Sequence, residues 1–331
     1  MNKKWKEFQS FLAEEMEKFI THKRALGCKF ETEESALQLL DAYFLKEEIF
    51  NIKDVTPEFI EKFLASRPRY RPRSYNHLLG VINNFFKWLV MQEICQKSPV
   101  LARSKRATAP RIPFLFSRVQ AQQLLSMASQ LPDNNFATQR GKAYFTIFAL
   151  LYGLGLRVSE ASHLQRADID FNRNLLVIRL AKFSKNRLVP FGPKIAQHLQ
   201  SYLRHHEEHY GAWKPDSPVF SFRHENPIGP RSISRVFRHL IPHLNLTILA
   251  GTSPPRLHDL RHSFAVGALL RWYQTGIKPA QRLFHLSTFL GHVNPSSTAI
   301  YLTITEDLLK EANQRFEQFI PLSLKENQHY D

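Results

Sequence analysis

"LLVIRLAKFSKNRLVPF", residues 175–191, decides the fold class of this chain. Two short runs of aliphatic residues, "LLVIRLA" (175–181) and "RLVPF" (187–191), flank the basic turn "KFSKN" and read as two paired strands. Outward from them, apolar residues recur at three- and four-residue intervals, the helical spacing. Helices are expected over 118–130, 139–153, 158–165, 194–208, 230–243, 259–274 and 279–290, with "PVFSF" (218–222) a further short strand. "TEDLLKEANQRFEQFI" (305–320) predicts a closing helix with one apolar face. The class is therefore mainly α with a small antiparallel β-sheet.

The first hundred residues read as helices alone. Trp5, Phe8, Phe11, Leu12, Met16, Phe19 and Ile20 form an amphipathic stripe, and Gly27 suits a C-cap. A second helix is expected over 32–48. "TPEFIEKFLAS" opens with Thr56 as N-cap and Pro57 at the first helical position, and "SYNHLLGVINNFFKWLVMQEI" (74–94) is a long apolar-faced helix. A chain of 331 residues exceeds one typical core. The expected organisation is an N-terminal all-α domain (1–100), a basic linker (101–116), an α+β catalytic domain (117–322) and a tail (323–331).

Charge points to the partner. Lys and Arg number 45 against 29 Asp and Glu, a formal +16. Such an excess favours a polyanion, because each neutralised phosphate releases condensed counterions. The charge is clustered. "RPRYRPR" (67–73) holds Arg67, Arg69, Arg71 and Arg73 with no acid, and its prolines predict an extended segment suited to phosphate and sugar contacts. "LARSKRATAPRIPFLFS" (101–117) adds Arg103, Lys105, Arg106 and Arg111 between the two helical patterns. A basic linker joining two basic halves suggests a two-domain clamp around a duplex. No apolar run is long enough to span a bilayer, and the N-terminus lacks a signal-peptide core. Cys28 and Cys95 are the only cysteines, which fits a reducing cytosol and gives no thiolate metal site.

Four separated pieces carry polar residues in apolar settings. "YGLGLRVSEA" (152–161) puts Arg157 where a Gly-rich turn enters a helix, with Glu160 three residues on. "AKFSKNRLVP" (181–190) places Lys182 and Lys185 in the strand turn. "HDLRHSF" (258–264) sets His258 and Arg261 on one face of a helix start. "LGHVNPSSTAIYLTI" (290–304) carries His292 and Tyr301. Each has an ordinary alternative: a surface ion pair, strand-edge protection, a solvated face, a helix cap, a core aromatic. His258 and His262 lack the intervening Glu of a zinc-protease helix, and no phosphate-cradling Gly loop for ATP is present. Together, two guanidiniums, a lysine and two imidazoles can bind a phosphodiester and stabilise charge on its oxygens during in-line attack. A phenol, with its resting pKa of about 10, needs such cations and a base to act as nucleophile.

These motifs resemble those of the tyrosine site-specific recombinases, the phage integrase family, over about residues 115–320. "GLGLRVSEA" is similar to its first arginine motif, "HDLRHSFA" to its His-x-x-Arg motif and "LGH" to its second-histidine motif, with Tyr301 in the nucleophile's place. The N-terminal hundred residues resemble the family's helical core-binding domain in pattern and size.

The resemblance implies that Tyr301 attacks a scissile phosphate to give a 3′-phosphotyrosyl link and a free 5′-hydroxyl. Arg157, Arg261, His258 and His292 then hold the phosphate, with His258 also a candidate proton acceptor, and Glu160 orients Arg157. Lys182 becomes the general acid. The family's lysine commonly lies in Gly-Lys-Gly, whereas Ala181 and Phe183 flank Lys182, so Lys185 stays an alternative; alignment through "RLVP" favours Lys182. No metal and no ATP or other cofactor is implied. The implied partners are double-stranded DNA with paired recombination sites and a homotetramer, alone or with a related second recombinase, in the cytoplasm on the nucleoid. "RWYQTGIKPAQRLFH" (271–285) lengthens the span between the histidine motifs relative to compact Xer-type members. The expected role is integration, excision or transposition of a mobile element. The alternatives are Xer-like dimer resolution, topoisomerase-like relaxation, or an inactive DNA-binding regulator of the same fold.

Overall fold

The structure, a computed structural model, describes residues 7–106, 112–181, 185–222, 226–277, 279–292, 298 and 301. The chain separates into two compact units, Met1–Pro110 and Arg111–Asp331.

The first unit is helical: α1 (Ala13–Ala25), α2 (Glu31–Lys46), α3 (Pro57–Ala65) and α4 (Pro72–Met91). Its core is aromatic, with Phe19, Phe44, Phe63, Phe85 and Phe86 fully buried. The apolar stripe predicts a helix from Trp5 onward, yet α1 begins only at Ala13. The backbone N–H groups of Gln9 and Ser10 donate to the buried Asp41 carboxylate on α2, which fixes that backbone outside a helix. Gly27 takes φ +80°, and the Cys28 N–H reaches the Lys23 carbonyl, a Schellman closure that requires the left-handed residue. Thr56 caps α3 by accepting from the Phe59 N–H at 3.3 Å.

"RPRYRPR" is not extended throughout. Pro72 occupies the first position of α4, where its fixed φ and missing N–H cost nothing, so Arg73 sits in the first helical turn. The segment 101–116 also departs from a free linker. The Asn76 side chain on α4 pairs with both the N–H and the carbonyl of Lys105, each at 2.7 Å. At its other end, Phe114 and Phe116 are buried in the core of the second unit, and the Phe116 N–H donates to the Ser263 hydroxyl at 2.8 Å. The Asn76 amide thus ties down one end of this basic segment and two buried phenylalanines the other.

The second unit contains α5 (Arg118–Ser129), α6 (Arg140–Gly153), α7 (Val158–Ser162), β1 (Ile169–Asp170), β2 (Leu175–Ala181), β3 (Lys185–Pro190), α8 (Pro193–Tyr210), α9 (Pro230–Leu240), α10 (Asp259–Gln274) and α11 (Pro279–Leu290). Ser117 and Gln120 cap α5 reciprocally. Helix α6 is apolar almost all round and lies at the centre, against α5, α8 and α10. A Cβ on Gly141 would meet the Ser129 carbonyl oxygen at 2.3 Å, so glycine is required where α6 crosses the end of α5. The three strands form an antiparallel sheet in the order β1-β2-β3, with Leu176 opposite Val189 and Ile178 opposite Arg187.

Several elements stop earlier than the sequence predicts. Helix α7 ends at Ser162, and α9 ends at Leu240, where Pro242 removes an amide donor and the chain tightens into a 3₁₀ turn, Ile241–Leu244. "PVFSF" forms isolated bridges, Gln165 with Pro218 and Ser221 with Pro227, rather than a strand. The long "RWYQTGIKPAQRLFH" stretch continues α10 to Gln274, turns at Gly276 with φ +82°, and enters α11. The helix expected over 305–320 lies outside the described residues. No helix among the described residues is long and apolar enough to cross a membrane.

Candidate active site

The site gathers at one end of α7, α10 and α11, beside β3. The Gly-rich turn "GLGLR" sets its floor. Gly155 adopts φ +61°, and a Cβ there would lie 2.6 Å from the Phe264 ring, so only glycine lets the turn press against α10. Arg157 follows as the N-cap of α7. Its backbone N–H and its guanidinium both bind Glu160, each at 2.7 Å, and its Nη2 donates to the Gly291 carbonyl at 2.8 Å.

Glu160 has a second cationic partner that the sequence reading did not single out. Arg187 on β3 donates Nη1 to Oε1 at 2.6 Å and Nη2 to Oε2 at 2.8 Å, while its Nε reaches the Phe289 carbonyl at 2.9 Å. Burial alone would raise the Glu160 pKa. The Arg187 and Arg157 hydrogen bonds and charges outweigh it and hold the carboxyl at about 2. A signal for Arg187 was present: strand alternation puts it on the same face as Val189, which is fully buried, while Leu188 points to solvent. Gly291, with φ +65°, leaves room for the Arg187 side chain, whose Cδ would lie 3.0 Å from any Cβ.

Arg261 is buried to 1% exposure and forms no ion pair among the described residues. Its guanidinium donates to the Gly155 and Leu290 carbonyls, and its Nε is buried without a hydrogen-bond partner. Burial first, and the Arg157 charge second, lower its pKa. A cation desolvated in this way, held by neutral carbonyls alone, gains most from an incoming anion. Arg157 and Arg261 bind the adjacent carbonyls of Gly291 and Leu290, so the end of α11 draws both guanidiniums into one place.

Tyr301 is 2% exposed, in an apolar pocket with Leu269, Leu286 and Leu290. Its hydroxyl lies 2.8 Å from His262 Nδ1. Burial raises the phenol pKa, the Arg261 and Arg157 charges pull against that rise, and Asp259 adds to it. The ring that bonds the phenol belongs to the residue just after the His-x-x-Arg motif. His258, the N-cap of α10, meets His262 edge-on with ring centroids 4.7 Å apart, and it is His262 that bonds the phenol. His258 is pushed down to about 3 by desolvation, then by the charges of its neighbours His262, Arg261, Arg157 and Arg256. His292 lies near-parallel to the Tyr301 ring with centroids 6.4 Å apart, its Nδ1 2.7 Å from the Thr298 hydroxyl. Desolvation and the three site arginines push it down to about 4.

Of the expected site residues, the fold brings together Arg157, Glu160, His258, Arg261, His292 and Tyr301. Lys182 lies outside the described residues, and Lys185 opens β3 with its backbone opposite Ala181. In the first unit, Arg69, Arg103 and Lys105 line one open groove of about 700 Å³ with Tyr70 and Tyr75, and the Lys105 ammonium sits 4.5 Å above the Tyr75 ring. Arg71, Arg73 and Arg106 are exposed, whereas Arg67 is half-buried.

A buried Arg261 beside a partly exposed Arg157, with three imidazoles and a phenol gathered at the same end of α10 and α11, suits a class: enzymes that exchange a phosphodiester through a protein hydroxyl. Residues 116–307 match the Phage integrase family, and the chain belongs to that family. It is a tyrosine recombinase, an enzyme that cuts and rejoins DNA. The Sinorhizobium fredii protein y4rB is 33% identical, over 92% of this chain and 96% of that protein. Tyrosine recombinase XerD of Proteus mirabilis is 30% identical over 84% of this chain and 83% of its own. Among solved structures, the Tn1549 transposon integrase in complex with transposon right end DNA aligns with a TM-score of 0.63 at 17% identity, covering 94% of this chain and 99% of that one. XerH site-specific recombinase bound to a palindromic difH substrate gives 0.63 at 18% identity, over 91% and 84%.

Proposed function

We propose that this chain is the strand-exchange enzyme of a mobile element, and that Tyr301 is its nucleophile. Arg157 and Arg261 bind the non-bridging oxygens of a scissile phosphate, and His258 and His292 complete the cradle. The Tyr301 oxygen attacks in line, giving a 3′-phosphotyrosyl link, and the 5′ oxygen leaves with a proton from Lys182. The link conserves the phosphodiester energy, so a second strand's 5′-hydroxyl can replace the tyrosine without ATP. Glu160 and Arg187 position Arg157. Both units bind the duplex, and four copies act on two sites. One observation carries this reading: the Tyr301 hydroxyl is seated on an imidazole, within the field of Arg261 and Arg157. The mobile-element role is supported by the Tn1549 integrase among the similar folds.

The test uses nicked suicide duplexes built from the inverted repeats flanking the encoding locus. A covalent protein–DNA adduct is expected with the wild-type chain and is absent in Tyr301→Phe, with binding retained. An adduct that persists in Tyr301→Phe overturns the assignment. Recombination between two element ends, and not between two chromosomal resolution sites, distinguishes the mobile-element role from Xer-like resolution.

A further inference from the structure

We propose that His262, the residue after the motif arginine, is the base that takes the Tyr301 proton during strand cleavage and returns it during religation. The inference rests on the reading of Tyr301 as nucleophile and adds the partner that activates it.

Geometry singles out His262 from the three imidazoles of the site. Its Nδ1 is 2.8 Å from the phenol oxygen, whereas the Nδ1 of His292 faces the Thr298 hydroxyl and His258 meets His262 edge-on. The other ring nitrogen, Nε2, lies 4.0 Å from Oδ1 of Asp259, a carboxylate with no solvent exposure. A negative charge on that side favours the tautomer with hydrogen on Nε2, which leaves the Nδ1 lone pair directed at the phenol. Asp259 is itself anchored by the Arg256 backbone N–H at 2.7 Å and its guanidinium at 3.1 Å. Carboxylate, imidazole and hydroxyl therefore follow one another in the order that activates a weak nucleophile, here with the carboxylate acting through space.

The groups facing His262 are Tyr301, Asp259, Arg256, Arg261, His258 and His292. Desolvation, with the Arg256 and Arg261 charges, lowers its pKa against the opposing pull of Asp259, so the ring is neutral and ready to accept at neutral pH. In cleavage the Tyr301 O–H bond breaks, its proton passes to Nδ1, the oxygen–phosphorus bond forms, and the 5′ oxygen departs with a proton from a separate acid. In religation the conjugate base of that acid takes the proton of a 5′-hydroxyl, whose oxygen bonds phosphorus as the phosphorus–Tyr301 oxygen bond breaks, and the His262 imidazolium protonates the departing phenolate.

Two measurements test this on the full chain. Histidine ¹⁵N NMR is expected to show His262 with hydrogen on Nε2 and an Nδ1 resonance that moves in Tyr301→Phe; hydrogen on Nδ1 overturns the proposal. Single-turnover adduct formation on the same suicide duplex is expected to fall about 10²-fold or more in His262→Ala, with DNA binding kept. His262→Asn, whose amide oxygen can accept from the phenol but cannot take its proton, is expected to give a rate that keeps rising with pH where the wild type has levelled. Adduct rates and pH profiles in both variants within about threefold of wild type, while Tyr301→Phe forms no adduct, overturn the role of His262 and leave Tyr301 standing. An adduct in Tyr301→Phe overturns the underlying reading instead.

Discussion

Arg187 grips both oxygens of Glu160, at 2.6 and 2.8 Å, from a different element than the arginine that Glu160 caps. The carboxylate is thus shared between β3 and α7, and Arg157 is held through it. Removing Arg187 leaves a buried carboxylate with one cation fewer. Arg187→Met is expected to cost about 3–5 kcal/mol in urea unfolding, the range for breaking a buried pair. Arg187→Lys is expected to recover part of this and to lose adduct rate, because a compact ammonium lacks the planar fork that spans both carboxylate oxygens and the Phe289 carbonyl.

Acid should destabilise the catalytic unit in two windows. His258 and His292 titrate at about 3 and 4 in the folded chain, below their ordinary 6.5. A depressed folded pKa means that the unfolded chain binds more protons, so stability is complete above about 6.5 and is lost as pH falls toward those values. Glu160, at about 2 against an ordinary 4.5, adds a second loss at lower pH. Thermal melts from pH 7 to 3 are expected to fall throughout. His292→Asn should flatten the upper window and Arg187→Met the lower one.

A bound phosphate should oppose the histidine shifts. The negative charge of a phosphodiester favours the imidazolium, so DNA is expected to raise both histidine pKa values and to take up protons on binding below about pH 6.5. Calorimetry in buffers of different ionisation enthalpy measures that uptake. None in this window, with binding intact, would place the phosphate away from these rings.

Gly155 tests how the floor of the site is built. Alanine there must hold φ +61° with its Cβ 2.6 Å from the Phe264 ring and 3.1 Å from Leu290. Gly155→Ala is expected to cost about 1–3 kcal/mol. It should also slow adduct formation, since the Gly155 carbonyl accepts from Arg261. An unchanged Tm and rate would show that the turn relaxes freely.

Local signals made the helices and the hairpin legible: the cap at Thr56, Gly27 at a helix end, and two aliphatic runs flanking a basic turn across 175–191. What spacing misjudged depended on tertiary partners. Asp41 holds Gln9 and Ser10 out of a helix from thirty residues away, and Phe114 and Phe116 turn a basic linker into part of a core. At the site, motif order located Arg157, Arg261, His292 and Tyr301. It named His258 as a candidate proton acceptor and not His262, whose Nδ1 lies against the phenol; position in a motif does not say which of two rings one turn apart faces a residue 39 positions later. Arg187 was likewise invisible to motif reading and visible only as a charge in a core-facing strand slot.

The basic groove of the first unit gives the last prediction. Arg103, Lys105, Arg71, Arg73 and Arg106 are exposed, and none of them forms an ion pair among the described residues. If they neutralise DNA phosphates, each replacement by alanine should reduce the slope of log K against log salt by about 1, uniformly across DNA sequences. Tyr75 differs in kind. Its ring lies beneath the Lys105 ammonium, so Tyr75→Leu keeps the charge while loosening its placement, and should weaken binding less than Lys105→Ala does with the salt slope nearly unchanged. Filter binding of the full chain at several salt concentrations separates the two outcomes. A slope unaffected by Arg103→Ala, Lys105→Ala and Arg71→Ala together would move the phosphate path off this face of the helical unit.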